Sequence, residues 1–103
     1  MDIAIVGAGA IGGYYGARLA HGGHTVHFLA RSTAAAMREA GLTVDSHLGD
    51  FSLPQPLVYS RAEDLPACDL VCVAVKATAN KVVFPQLGGL VKPGGAIILL
   101  QNG

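Results

Sequence analysis

The sequence predicts an α/β domain with a doubly wound, mostly parallel sheet, and three observations carry that prediction. Short apolar runs of the kind buried on both faces alternate with helical stretches along the 103 residues. A glycine-rich turn, Gly7-Ala8-Gly9-Ala10-Ile11-Gly12, falls where the first apolar run meets the first helical stretch. The order of elements is strand, helix, strand, helix, then strand, helix, strand, the grammar of an open sheet built from crossover connections.

Taken in order, Asp2–Val6 is a compact β-run. Ile11–His21 reads as a helix with Ile11, Tyr15 and Leu19 at i, i+4 and i+8, and Gly22-Gly23 stops it. Thr25–Ala30 is the second strand. Ser32 or Thr33 can cap a helix through Ala34-Ala35-Ala36-Met37-Arg38-Glu39 that ends at Gly41. The period then changes: Leu42-Thr43-Val44 and Phe51-Ser52-Leu53, separated by His47-Leu48-Gly49-Asp50, form a small hairpin insertion. Pro54 and Pro56 keep Leu57-Val58-Tyr59 at an edge or in an irregular segment. Asp69–Lys76 is another buried strand, Thr78–Leu90 an interrupted helix because of Pro85, Pro93-Gly94-Gly95 a turn, and Ala96–Leu100 a last β-run.

Composition limits what such a domain does. Hydrophobic residues make up 51% of the chain, there are 14 glycines, and charged residues are only 14%, where roughly 25% is usual. Seven Lys/Arg balance seven Asp/Glu, so there is no polybasic surface for nucleic acid and too little charge for a disordered chain. The run Leu70–Val75 is far short of the roughly 20 apolar residues of a membrane helix, and no basic leader precedes the first strand. Cys68 and Cys72, on one extended segment, stand about 13 Å apart, beyond disulfide reach. They read as two buried thiols of a cytoplasmic protein.

The glycine turn fits G-x-G-x-x-G and follows a strand, opens a helix and sits in a βαβ unit, the context that makes the pattern a dinucleotide fingerprint of the Rossmann type. Gly7 permits the tight turn, Gly9 lets the backbone approach a pyrophosphate, and Gly12 lets helix and strand pack closely. The free N–H groups at the helix start favour the anion. At the end of the second strand, an acid ordinarily binds the ribose 2′-OH of NAD; here the residues are Phe28-Leu29-Ala30-Arg31-Ser32. With no acid to repel a 2′-phosphate, and a guanidinium fork on Arg31 beside the Ser32 hydroxyl, the expected cofactor is NADPH/NADP+. Lys76 and Asn102 end two later strands, where ligands bind in open α/β sheets, although polar residues also stand there simply because the chain enters water.

Together, Gly7–Gly13, Leu29-Ala30-Arg31, Val75-Lys76-Ala77 and Leu100-Gln101-Asn102-Gly103 resemble the N-terminal domain of the ketopantoate reductases (2-dehydropantoate 2-reductases) over essentially the whole chain. The resemblance implies an oxidoreductase that reduces 2-dehydropantoate to (R)-pantoate with NADPH, a step towards pantothenate and coenzyme A. It implies that the glycine turn binds the pyrophosphate, Arg31 serves the 2′-phosphate and Lys76 contacts the cofactor. Asn102 would lie between the nicotinamide and the 2-oxo acid substrate. The proton-donating Lys of that family belongs to a helical C-terminal domain with no counterpart here. Residues 1–103 are therefore expected to be a cofactor domain cut before that domain, with no catalytic residue of its own and no turnover alone. Two alternatives stay open: a reductase of another 2-oxo acid, and a non-catalytic NADP(H)-binding sensor.

The remaining features have plainer readings. His21, His24 and His27 recur every three residues but are split by Gly22-Gly23 and by strand alternation, so no shared metal is expected. Tyr14 and Tyr15 pack one ring and expose the other's hydroxyl. The sheet edge near Ala96–Leu100 would normally be covered by a further strand and domain, so the fragment is expected to bury that apolar surface against another chain, self-association included, or to be marginally soluble.

Overall fold

The computed structural model describes residues 1–7, 10–30, 34–44, 51–53, 55–74 and 87–100. Strands β1 (Asp2–Val6), β2 (Thr25–Leu29), β5 (Leu57–Tyr59), β6 (Cys68–Val73) and β7 (Val91–Leu99) form one sheet in the order β5-β2-β1-β6-β7. Every pairing in it is parallel. Strands β3 (Leu42–Val44) and β4 (Phe51–Leu53) form a separate antiparallel pair. This is the expected doubly wound sheet with its hairpin insertion, and the predicted edge position of Leu57–Tyr59 is where β5 lies.

Alternation along the strands builds two cores. Ala4, Val6, Leu29, Val71 and Val73 face one side with Leu65, Leu87 and Leu90. Ile3, Ile5, Val26, Phe28 and Cys72 face the other with Ala34 and Met37 of α2 (Ala34–Ala40). β1 is covered on both faces, which is why it carries no polar residue after Asp2. Fully burying each such aliphatic side chain is worth roughly 1.5–3 kcal/mol. The chain runs outward from β1 to β2 and β5, then crosses to the opposite side for β6 and β7, so the switch point of the topology lies between β1 and β6.

On helix α1 (Ala10–His21) Tyr14 is half-buried and Tyr15 exposed, as expected of the adjacent rings, while Gly12, Gly13, Gly16 and Ala17 are buried. The helix lies too near the sheet for large side chains, and a Cβ on Gly16 would run into the Phe28 ring and stand 3.0 Å from Ile5. Two expectations change. The buried strand read from Asp69 starts one residue earlier, β6 running over Cys68–Val73, with residues 75 and 76 of the predicted run outside the described residues. Pro93-Gly94-Gly95 lies within β7, as an irregularity: Cys68 pairs with Val91, and the next partners are Leu70 and Ala96. That shift changes the phase of β6, so Cys68 joins one core and Cys72 the other. Both thiols are free and buried, and burial pushes both above the usual thiol range, Asp2 and Asp69 adding to the effect at Cys68.

The hairpin turn at 47–50 and residues 78–86 of the expected interrupted helix lie outside the described residues; Leu87 is helical and residues 88–90 form a turn. Among the described residues no helix is long and apolar enough to cross a membrane.

Candidate functional site

The two edges of the sheet differ in chemistry. At the amino edge, the Asp2 main-chain N–H donates to Asp69 Oδ2 at 2.9 Å. Lys92 Nζ lies 3.7 Å from Asp2 Oδ2 and 3.6 Å from Asp69 Oδ1. His27 is buried and stands between Asp2 Oδ1, 3.2 Å from Nε2, and Tyr59 Oη, 3.1 Å from Nδ1. A carboxylate only accepts, so Nε2 carries the proton, and in the neutral ring Nδ1 accepts the Tyr59 hydroxyl. His27 is thus a satisfied polar group tying β2 to β1 and β5, a role that the spacing of the three histidines did not signal.

The Asp2 N–H, and then Lys92, hold the Asp69 carboxyl below its ordinary range. A carboxylate with a lowered folded-state pKa contributes stability above its unfolded value, near pH 4, which is lost as pH falls through the folded value. Asp69→Asn is therefore expected to be less stable than the parent at pH 7, with urea midpoints that converge as the pH falls below the ordinary carboxylate range. An equal gap at both pH values would contradict the assignment.

At the carboxyl edge the described residues meet through main chain. Tyr59, Leu29, Val6, Val73 and Leu99 stand in one row across the five strands. The ladder continues one residue further: Gly7 N–H donates to Leu29 O at 2.9 Å, Ala30 N–H to Tyr59 O at 2.9 Å, Ala74 N–H to Val6 O at 2.8 Å, and Leu100 N–H to Val73 O at 2.7 Å. Gly7 and Ala74 leave the sheet at the switch point, side by side.

Here the glycine turn shows its mechanical need. Gly7 has φ 91°, a left-handed conformation that costs other residues roughly 1–2 kcal/mol. A Cβ on Gly12 would collide with the Gly7 carbonyl oxygen and lie 3.0 Å from Ala74 Cβ. Helix α1 therefore starts pressed against the end of β1 and beside the end of β6. Its first turn contains no acid, so its main-chain N–H groups and positive dipole end are unopposed for an anion. A cradle that even one methyl group would fill fits the close backbone approach of a dinucleotide pyrophosphate.

The family model for ketopantoate reductase PanE/ApbA matches residues 3–103. The chain belongs to the ketopantoate reductase family. A 2-dehydropantoate 2-reductase from a Nostoc species is 46% identical over 100 residues, which are 97% of this chain and 31% of that protein. The crystal structure of 2-dehydropantoate 2-reductase from Geobacter metallireducens superposes with a TM-score of 0.93 at 46% identity, covering 100% of this chain and 34% of that one. A D-mandelate dehydrogenase solved with NADH and anilino(oxo)acetate superposes with a TM-score of 0.85 at 26% identity, covering 100% and 34%. The chain thus spans about a third of the length of these ketopantoate reductases and of the dehydrogenase.

Of the sequence-predicted site residues, Gly7 and Gly12 are brought together at the switch point. The backbone of Ala10 and Ile11 forms the first turn of α1. Ala8, Gly9, Arg31, Ser32, Lys76 and Asn102 lie outside the described residues. The sequence neighbours of three of them are placed: Ala30 precedes Arg31, while Ala74 and Leu100 stand two residues before Lys76 and Asn102, all at the carboxyl edge. Sequence reasoning missed Arg38 and Ser60. Arg38 Nη2, from the last turn of α2, donates to Val58 O at 3.3 Å and to Ser60 Oγ at 3.2 Å.

Proposed function

We propose that this chain is the cofactor-binding part of an NADPH-dependent reductase of 2-dehydropantoate (ketopantoate), forming (R)-pantoate for pantothenate and coenzyme A synthesis. The observation that carries the reading is the Gly7–Gly12 cradle at the switch point of a ketopantoate reductase family sheet. In this reading Gly7, Ala8, Gly9, Ala10, Ile11 and Gly12 take the pyrophosphate against the main-chain N–H groups of α1. Arg31 and Ser32 take the 2′-phosphate, Arg31 through the planar fork that suits a phosphate. Lys76 contacts the cofactor, and Asn102 orients the 2-oxo acid against the nicotinamide. The bound cofactor supplies hydride delivery to the 2-oxo carbon; the chain's share is binding and orientation. No residue here is assigned the proton transfer, so residues 1–103 alone are expected to show no turnover, a helical second domain supplying the acid. A cytoplasmic location accords with the free thiols of Cys68 and Cys72.

The D-mandelate dehydrogenase likeness supports a second reading, an NADH-linked reductase of another 2-oxo acid. One assay separates the two. The longest natural polypeptide that contains this sequence is supplied with NADPH or NADH and with 2-dehydropantoate or the 2-oxo acid of mandelate, and nicotinamide oxidation is followed by absorbance. The highest kcat/KM with NADPH and 2-dehydropantoate is expected. A higher value with NADH and the aryl acid would favour the second reading, and binding without oxidation would favour a sensor.

The edge strand supports a proposal about the isolated chain. Ile97, Ile98 and Leu99 of β7 are 44%, 44% and 54% exposed, and no charge interrupts residues 96–99. Such an edge is a template for pairing, so the 103-residue chain is expected to self-associate through β7. Sedimentation should show dimers or larger species that Ile98→Lys converts to monomer; a monomeric parent would contradict this.

A further inference from the structure

We propose that Ser60, held by Arg38, is a second donor to the 2′-phosphate of the dinucleotide and so a specificity-determining residue beside Arg31. The proposal rests on the NADP(H) reading given above. Ser60 follows Tyr59, whose carbonyl accepts the Ala30 N–H at 2.9 Å, and Leu29 and Tyr59 are register partners. The chain leaving β5 at Ser60 therefore emerges beside the chain leaving β2 at Ala30, with strands about 4.8 Å apart. Arg31 is the next residue after Ala30 in the sequence. The ribose end of a dinucleotide is read at this strand end.

The hydrogen bonding at Ser60 sets which way it acts. Its Oγ accepts from Arg38 Nη2 at 3.2 Å, and a guanidinium is a donor only. The Ser60 hydroxyl hydrogen is therefore directed away from Arg38 and is available to an acceptor at the edge. The same Nη2 donates to Val58 O at 3.3 Å, which uses both of its hydrogens. The other N–H groups of the guanidinium make no hydrogen bond among the described residues and keep a fixed positive charge beside Ser60. Helical side chains point back towards the helix start, which brings Arg38 from the end of α2 up to the carboxyl edge. Arg61 is not counted in this subsite, because its Nε is already paired with Glu63 Oε2 at 3.2 Å. A phosphomonoester needs several donors, and Ser60 with Arg38 adds a neutral donor and a charge to the Arg31 fork.

The test uses two probes that differ only in the 2′-phosphate, 2′,5′-ADP and 5′-AMP, titrated calorimetrically into the longest natural polypeptide that contains this sequence. The readout is the ratio of their Kd values. Ser60→Ala is expected to reduce the preference for 2′,5′-ADP about 10-fold with 5′-AMP affinity unchanged, and Arg38→Gln to reduce it by at least as much. A ratio unchanged in Ser60→Ala, or equal weakening of both probes, would overturn the proposal, the second result marking a merely structural pair. A parent protein with no preference for 2′,5′-ADP would instead overturn the NADP(H) reading. Ser60→Ala removes only an exposed hydroxyl, so it decides the matter even where Arg38→Gln folds poorly.

Discussion

Gly12→Val is expected to abolish dinucleotide binding and to destabilise the domain, the largest effect of any single substitution considered. The position has no space for even one carbon: a Cβ would meet the Gly7 carbonyl oxygen and lie 3.0 Å from Ala74 Cβ. The first of these is backbone at the end of β1, in a residue at φ 91° that cannot shift without losing its own turn and its bond to Leu29. Relief has to come from lifting α1 off the sheet. Overpacking of this kind costs about 1–3 kcal/mol, and in a domain of about 100 residues each kcal/mol lowers Tm by roughly 4–8 °C. Lifting α1 also moves its N-terminal N–H groups away from the pyrophosphate, and an affinity loss of at least about 100-fold is expected from losing several charge-assisted hydrogen bonds. Gly88→Ala is the control: its Cβ would meet nothing within 4 Å, so Tm and affinity should stay near those of the parent. Thermal melts and nucleotide titrations of both variants check the contrast, and a well-folded, nucleotide-binding Gly12→Val would contradict the cradle.

Arg31→Ala is expected to act on selectivity rather than on the fold. A charge-assisted bond to a phosphate is worth about 1.5–3 kcal/mol, which corresponds to roughly a 10- to 100-fold fall in the NADPH-over-NADH affinity ratio. NADH, with no 2′-phosphate, should bind the variant as it binds the parent, because no acid stands at this strand end to hold the 2′-OH. Fluorescence titration with both nucleotides checks this, and an unchanged ratio would remove Arg31 from the site.

The parts of this protein that were legible in its sequence are those where a local pattern and the tertiary fold ask for the same thing. The β1 run Ile3–Val6 is apolar at every position because both faces are covered. Gly7 and Gly12 are glycines because a left-handed turn and a close helix approach leave no alternative. Hydrophobic spacing marks α1 as a helix but does not say which residues lie against the sheet, because close approach selects small ones: a helix pressed onto Phe28 and Ile5 buries Gly16 and Ala17 and turns Tyr15 outward. The β7 irregularity was read as a turn because Pro93-Gly94-Gly95 carries turn chemistry, and only pairing to β6 absorbs it into a strand. The His27 bonds and the Arg38–Ser60 contact join residues 20 or more positions apart, which no local pattern encodes.

The proposed placement of the nucleotide at the carboxyl edge is tested most directly by amide chemical-shift mapping during an NADPH titration. Saturable shifts are expected at Gly7, Gly12, Ala30, Ala74 and Leu100, the main-chain groups that line that edge. The amides of Asp2, Asp69 and Lys92 at the opposite edge should stay where they are. Saturable shifts confined to the amino edge, or none at Gly7 and Gly12, would contradict a cofactor site at the switch point.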